Sequence, residues 1–208
     1  MITRVHFVLT VVVSFVLSSC TSTQLARTWR DTSYKAGPLK KILVVATGRD
    51  QQRRSAWEDG LAAALSWHGV EATPSYRLIS KVLPDSTIID SVARAGNFDG
   101  IVLIGRSSTM TTESVTPSLD IISPGSPSGP WSEAYYEYYN RGYYPGYPVF
   151  NEFVNDEITL WTARGRKRMI WSGVGEVHGS GQGEDVSGEI ISLVIKELIK
   201  QEVIAAAN

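Results

Sequence analysis

Two stretches of the chain are apolar at every position. Ile42-Leu43-Val44-Val45-Ala46 and Ile101-Val102-Leu103-Ile104 contain no polar residue, the pattern of strands covered on both faces in the middle of a sheet. Between them the period changes. Trp57, Leu61, Ala64, Leu65 and His68 recur at helical spacing and predict a helix over 53–68, with Gly69 as its stop. Ser55 to Glu58 fits a capping box, and Asp50 offers an earlier start. Val70 to Tyr76 predicts a second strand, which Pro74 confines to a sheet edge. Ile88, Ile89, Val92 and Ala93 predict a short helix over 86–95, ended by Gly96. Residues 156–163 and 169–178 predict two more strands, joined by the polar turn Arg164-Gly165-Arg166-Lys167. Val186, Ile190, Val194 and Leu198 mark one face of a closing helix within 185–205.

This order implies a single α/β domain over 38–208. Right-handed crossovers make the first three strands parallel, and the last two add a meander. The expected architecture is a mixed five-stranded sheet, order 2-1-3-4-5 with strand 4 antiparallel, and three helices. The order places the two all-apolar strands side by side in the interior.

The N-terminus has a different character. Arg4 precedes an apolar run from Val5 to Leu17, too short for a comfortable span of about 20 residues but suited to a signal-peptide core. Leu17-Ser18-Ser19-Cys20 closes it and resembles the lipobox of bacterial lipoproteins. That resemblance implies a signal peptide over 1–19, acylation of Cys20, and anchoring in a membrane by two or three chains, each methylene contributing about 0.8 kcal/mol. Thr21 after the Cys, in place of Asp, implies the outer membrane in a two-membrane envelope, facing the periplasm. The polar residues 20–37 then form a lipidated tether. An ordinary signal peptide with an incidental Cys, or a buried N-terminal helix, is the competing reading.

Composition narrows the chemistry. A net charge of −1 gives no basic field for nucleic acid. The single Cys excludes a disulfide framework and a Cys-based zinc site. After removal of the signal peptide His68 and His178 are the only histidines, and neither has a second His or a Cys at ligand spacing, so no metal or cofactor is expected. Gly179-Ser180-Gly181-Gln182-Gly183 lies between a strand and a helix but fails the dinucleotide spacing, since Glu184 occupies the sixth position. Glu58-Asp59 and Asp156-Glu157 are neighbours whose side chains diverge, so solvated charge is the expected role for both pairs. The basic turn residues Arg164 to Arg168 read as a solvated hairpin tip. Trp57, Trp161 and Trp171 are expected in the core.

The informative departure is an insert over 116–148, which holds six of the nine prolines and seven of the nine tyrosines. Trp131, Tyr135, Tyr136, Tyr138, Tyr139, Tyr143, Tyr144 and Tyr147 crowd there between glycines and prolines. A loop this long inside a compact domain is functional or disordered, and tyrosine supplies amphipathic contact area at low entropic cost. These eight residues are the candidate surface for a protein or envelope polymer; low-complexity sequence without a role and insertion at the membrane interface are the alternatives. The insert joins two strands expected to be neighbours, so its removal is expected to leave the fold nearly intact.

Several segments in order resemble a family of uncharacterised bacterial lipoproteins with a domain of unknown function: Cys20-Thr21-Ser22-Thr23, Trp29-Arg30-Asp31 with Tyr34, Lys40 to Val45, Glu58-Asp59 with Leu65, Gly69-Val70-Glu71-Ala72 with Tyr76, and Trp161 to Lys167 with Ile170-Trp171-Ser172. Members often carry a Tyr/Gly/Pro-rich insert before the last hairpin. The resemblance implies no catalytic residue. The resulting expectation is a lipid-anchored, non-enzymatic envelope protein that presents its aromatic insert to a partner. An accessory subunit of an envelope transport or secretion complex is one rival. A cell-wall or lipid-acting enzyme using His178, Glu176, Glu184 and Asp185 is the other.

Overall fold

The computed structural model describes residues 22–48, 50–80, 85–110, 131, 135, 153–178 and 187–206 of the 208. The strands are β1 (Ser22–Arg30), β2 (Lys41–Ala46), β3 (Glu71–Pro74), β4 (Gly100–Met110), β5 (Phe153–Thr162) and β6 (Met169–His178). Three helices accompany them: α1 (Gln51–Trp67), α2 (Ser86–Ala95) and α3 (Ser187–Lys200), with a 3-10 turn at Ser75–Arg77. They form an α/β domain around one mixed sheet of order β1-β6-β5-β4-β2-β3. β2 pairs in parallel with β3 and β4, and β5 is antiparallel to both β4 and β6.

The order expected for five strands holds from β3 to β6. The correction is a sixth strand. β1 pairs antiparallel with β6 from Ser22 opposite His178 to Arg30 opposite Trp171, so a segment expected to be a tether that becomes ordered only near Trp29 extends the sheet from Ser22 onward. The sequence Ser22-Thr23-Gln24-Leu25-Ala26-Arg27-Thr28-Trp29-Arg30 carries little apolar signal because an edge strand is half exposed. Its two large apolar residues stand four apart, which simple alternation would place on one face. A bulge between Leu25 and Arg27 shifts the register, which turns Leu25 and Trp29 to opposite faces: Leu25 packs on one core cluster and Trp29 on the other.

The central strands divide their side chains between two covering layers. Ile42, Val44, Val102, Ile104, Ile158 and Leu160 pack under α1 and α3. Leu43, Val45, Ile101, Leu103 and Trp161 pack under α2. That alternation explains why β2 and the start of β4 are apolar throughout. β3 is the other sheet edge, where Pro74 needs no ladder donor. Asp50 starts α1, its carboxylate accepting from the Gln52 and Arg53 amides; this is the earlier of the two starts the sequence offered. Gly69 follows the helix at φ 75° and Gly165 lies in the hairpin turn at φ 66°, two left-handed positions that favour glycine. No helix of the described residues is long and apolar enough to cross a membrane.

Trp171 is fully buried in the layer under α1 and α3. Trp171→Ala is expected to destabilise the domain by about 3–5 kcal/mol, read from urea unfolding; a loss below about 1 kcal/mol contradicts the packing described.

Candidate functional site

Polar groups inside the domain gather near the carboxyl end of β2. Glu58, on α1, is completely buried. Its carboxylate accepts the Ala46 amide at 2.9 Å, the Ser75 hydroxyl at 2.9 Å and the Tyr76 amide at 3.1 Å. Arg54, one turn earlier, stands 3.9 Å away and donates its Nε–H to the Ala46 carbonyl at 3.0 Å. One carboxylate thereby ties β2, α1 and the turn after β3 together. Burial pushes the Glu58 carboxyl above its ordinary range, opposed by the two amides, the hydroxyl and Arg54. Beside it the Asp59 carboxylate accepts from the Tyr76 hydroxyl at 2.8 Å and from Arg77 at 2.6 Å.

The second acidic pair is also internal. Asp156 and Glu157 are 3% and 1% exposed, on opposite faces of β5. Asp156 receives Arg53 from α1, both carboxylate oxygens lying at 3.3 Å. The expectation of solvated charge is therefore corrected for Glu58, Asp156 and Glu157. Each carboxylate was read against its immediate neighbours, whereas the partners of Glu58 and Asp156 come from other elements. These contacts hold elements in place, and no group of three or more His, Cys, Asp or Glu side chains among the described residues is arranged to hold a metal.

The basic hairpin is a clasp. Arg164 pairs with Asp99 at 3.0 Å and donates to the Asn97 carbonyl at 2.8 Å. Lys167 pairs with Asp90 of α2, and Arg168 with Asp31 just beyond β1. A depression of about 520 Å³ opens between α2 and this hairpin, lined in part by Arg94, Phe98 and Arg164. Three of the cations expected to be solvated thus fasten the hairpin to three other parts of the chain.

Trp131 and Tyr135 of the insert meet the same end of the sheet. Both are helical, and they are 6% and 2% exposed within the layer under α2. The Trp131 ring stands edge-on to Trp161, centroids 5.4 Å apart, and Tyr135 lies 6.3 Å from Trp131. The Lys167 ammonium sits 5.9 Å from the Trp131 ring centroid. Two of the eight aromatic residues offered as a contact surface are core residues instead. Removal of the whole insert would uncover Trp161, so the expectation of near-intact folding is not supported by this packing. The four-residue spacing of Trp131 and Tyr135, one helical turn, was the available signal. Tyr136, Tyr138, Tyr139, Tyr143, Tyr144 and Tyr147 lie outside the described residues. So do Cys20, the glycine-rich segment 179–183 and the pair Glu184-Asp185.

The described strand ends that flank the insert are far from that docking point. β4 is described to Met110 and β5 from Phe153, and these residues face each other. Trp161, which carries Trp131, lies eight residues along β5, about 26 Å away at the rise of a strand.

Glu58→Ala is expected to cost about 3–5 kcal/mol, because it strips two amides of their acceptor and leaves Arg54 buried without this carboxylate. The raised carboxyl also sets a pH dependence. The folded state holds the proton more tightly, so this contribution to stability is full below the ordinary carboxylate range and is lost as pH rises through the folded value. Relative to Glu58→Gln, the wild type should lose stability across that interval in parallel urea titrations, and a difference that grows with pH contradicts the assignment. Trp131→Ala should destabilise by about 3–5 kcal/mol, and an unchanged unfolding midpoint contradicts the seating of the insert.

No family model matches the chain, and no curated protein matches it. Among solved structures, a PelC dodecamer from Paraburkholderia phytofirmans aligns at a TM-score of 0.45 and 12% identity, over 89% of this chain and 100% of that one. An L103M variant of that PelC gives 0.44 and 13%, over 91% and 99%. Lipoprotein GNA1162 from Neisseria meningitidis gives 0.40 and 15%, over 76% of this chain and 95% of its own. Likeness at this level assigns no function to the chain.

Proposed function

We propose that the chain is a lipid-anchored, non-enzymatic protein of the bacterial cell envelope, held through Cys20 at the periplasmic face of the outer membrane. It binds a protein or an envelope polymer through the tyrosines of its insert. The observation that carries the binding role is the seating of Trp131 and Tyr135 in the core. A segment fixed to a rigid scaffold at one helical turn needs less ordering when it meets a partner than one attached only at its ends. Six tyrosines, from Tyr136 to Tyr147, all follow within twelve residues of Tyr135 in the sequence. The buried carboxylates Glu58 and Asp156 are engaged in holding the fold, which favours a scaffold over an acid–base centre there. The anchor reading rests on the signal-peptide pattern and on the only Cys, which stands directly after it.

Two experiments separate the parts of this reading. Cys20→Ser should abolish acylation, seen by mass spectrometry of the N-terminus; an unmodified thiol on Cys20 in the natural protein contradicts the anchor. Joint replacement of Tyr138, Tyr139, Tyr143 and Tyr144 by Ser leaves Trp131 and Tyr135 in place. It should preserve the circular dichroism spectrum and abolish recovery of a crosslinked envelope partner. Recovery equal to that of the wild type overturns the binding role.

A further inference from the structure

The lipid anchor and the sheet are separated by one residue. Thr21 alone stands between Cys20 and Ser22, where β1 begins. Two Cα–Cα steps of 3.80 Å place the Cys20 Cα within about 7.6 Å of Ser22. The headgroup layer on one side of a bilayer is about 5–8 Å deep, the difference between the full and hydrocarbon thicknesses shared between two faces. An acylated Cys20 therefore keeps Ser22 within the headgroup layer or at its surface.

Ser22 is tied to the rest of the domain. It pairs with His178, Thr23 pairs with Val177, and the Thr23 hydroxyl donates to the Glu189 carboxylate in the first turn of α3. From there β1 runs for nine residues to Arg30, about 26 Å at the rise of a strand. At that far end the Asp31 amide donates to the Ile170 carbonyl at 2.9 Å, and the Asp31 carboxylate holds Arg168. The strand is thus fastened to the sheet at both ends and behaves as a short stiff post.

We infer that the tips of β1, β6, β5 and β4, together with the first turn of α3, form a membrane-contacting end that sits on the polar headgroup layer. This deepens the anchor reading above and rests on it. The four strands reach this end together. Ser22 lies opposite His178, Glu176 lies opposite Asn155, and Phe153 lies opposite Met110. β2 stops earlier: Ala46 is level with Ile104, Ile158, Gly173 and Thr28, so the helix that follows β2 begins further back from the bilayer. Side chains on β1 and α3 near the tip, such as Thr23, Gln24 and Glu189, are polar, which suits headgroups and not acyl chains.

The opposite end points into the aqueous space. Arg164, Arg166 and Lys167 lie beyond the far ends of β5 and β6, at least a strand length of about 26 Å from the anchor. That is about three Debye lengths at physiological salt, so a few per cent of the headgroup potential remains there. The hairpin and the seated Trp131 face away from the membrane that holds Cys20, while Met110 and Phe153, the described residues flanking the insert, lie at the end that touches it.

The test uses the full lipidated chain in phosphatidylethanolamine and phosphatidylglycerol vesicles that carry a headgroup-attached quencher. Cys20 is acylated, so Gly188→Cys and Arg166→Cys each give one labelling site. Both positions are exposed, and a side chain at Gly188 meets no neighbouring atom. A fluorophore at 188 should lose intensity on vesicle binding, and one at 166 should keep its lipid-free intensity. Vesicle binding with equal quenching, or with stronger quenching at 166, overturns the inference and leaves the anchor standing. Failure of the lipid-processed chain to float with vesicles overturns the anchor reading and the inference together.

Discussion

Antiparallel pairing of β1 with β6 is the constraint on which the arrangement depends. It converts nine residues that follow the acylation candidate into an edge strand, and it fixes which end of the sheet lies next to Cys20. Without it the domain would hang from a flexible polar segment and could turn any face to the membrane. With it the tips of the four long strands sit near the proposed anchor and the basic hairpin sits far from it. The pairing is secured at both ends by side chains, Thr23 with Glu189 and Asp31 with Arg168. The bulge after Leu25 lets an apparently patternless strand contribute one apolar side chain to each core layer.

The rest of the domain is held by a division of labour between its faces. Under α1 and α3 the packing is aliphatic with Trp57 and Trp171, and the buried polar groups Arg54, Glu58 and Asp156 lie toward the carboxyl end of β2. Glu58 spends its burial on three acceptor contacts that join elements distant in sequence. Under α2 the aliphatic packing is joined by Phe98, Trp131, Tyr135 and Trp161. Trp161 on β5 receives Trp131, and Lys167 faces the Trp131 ring while pairing with Asp90. The hairpin therefore grips α2 and the insert at once, which is why its cations belong to the architecture as much as to the surface.

Elements with a two-sided or strictly periodic environment were legible in the sequence. The continuous runs in β2 and β4 marked interior strands, Pro74 marked an edge, and Ser86–Ala95 and Met169–His178 match their expected bounds. The sheet order followed from connection rules applied to those elements. What stayed hidden shares one physical cause: the determining partner is remote in sequence. β1 is a strand because β6 offers a free edge, and its own residues alternate poorly across the bulge. Glu58 is buried because the Ala46 amide, Ser75 and Tyr76 converge on it, and nothing adjacent to Glu58 announces them. Trp131 and Tyr135 look like two more aromatics in a low-complexity stretch until Trp161 and Ala163 supply the surface they cover. At Trp131 and Tyr135 the insert is accordingly scaffold, which composition alone reads as surface.

The segment next to the proposed anchor belongs to the sheet, and amide hydrogen exchange on the full chain in its membrane tests this most directly. Amides of β1 that bond to β6 should exchange slowly, in step with the β6 amides they face, and Thr23→Ala should speed exchange at the Ser22 end first. Exchange throughout 22–30 at the rate of an unstructured peptide, with β6 still protected, would contradict the claim: the domain would then be tethered flexibly and its orientation at the membrane would be undetermined.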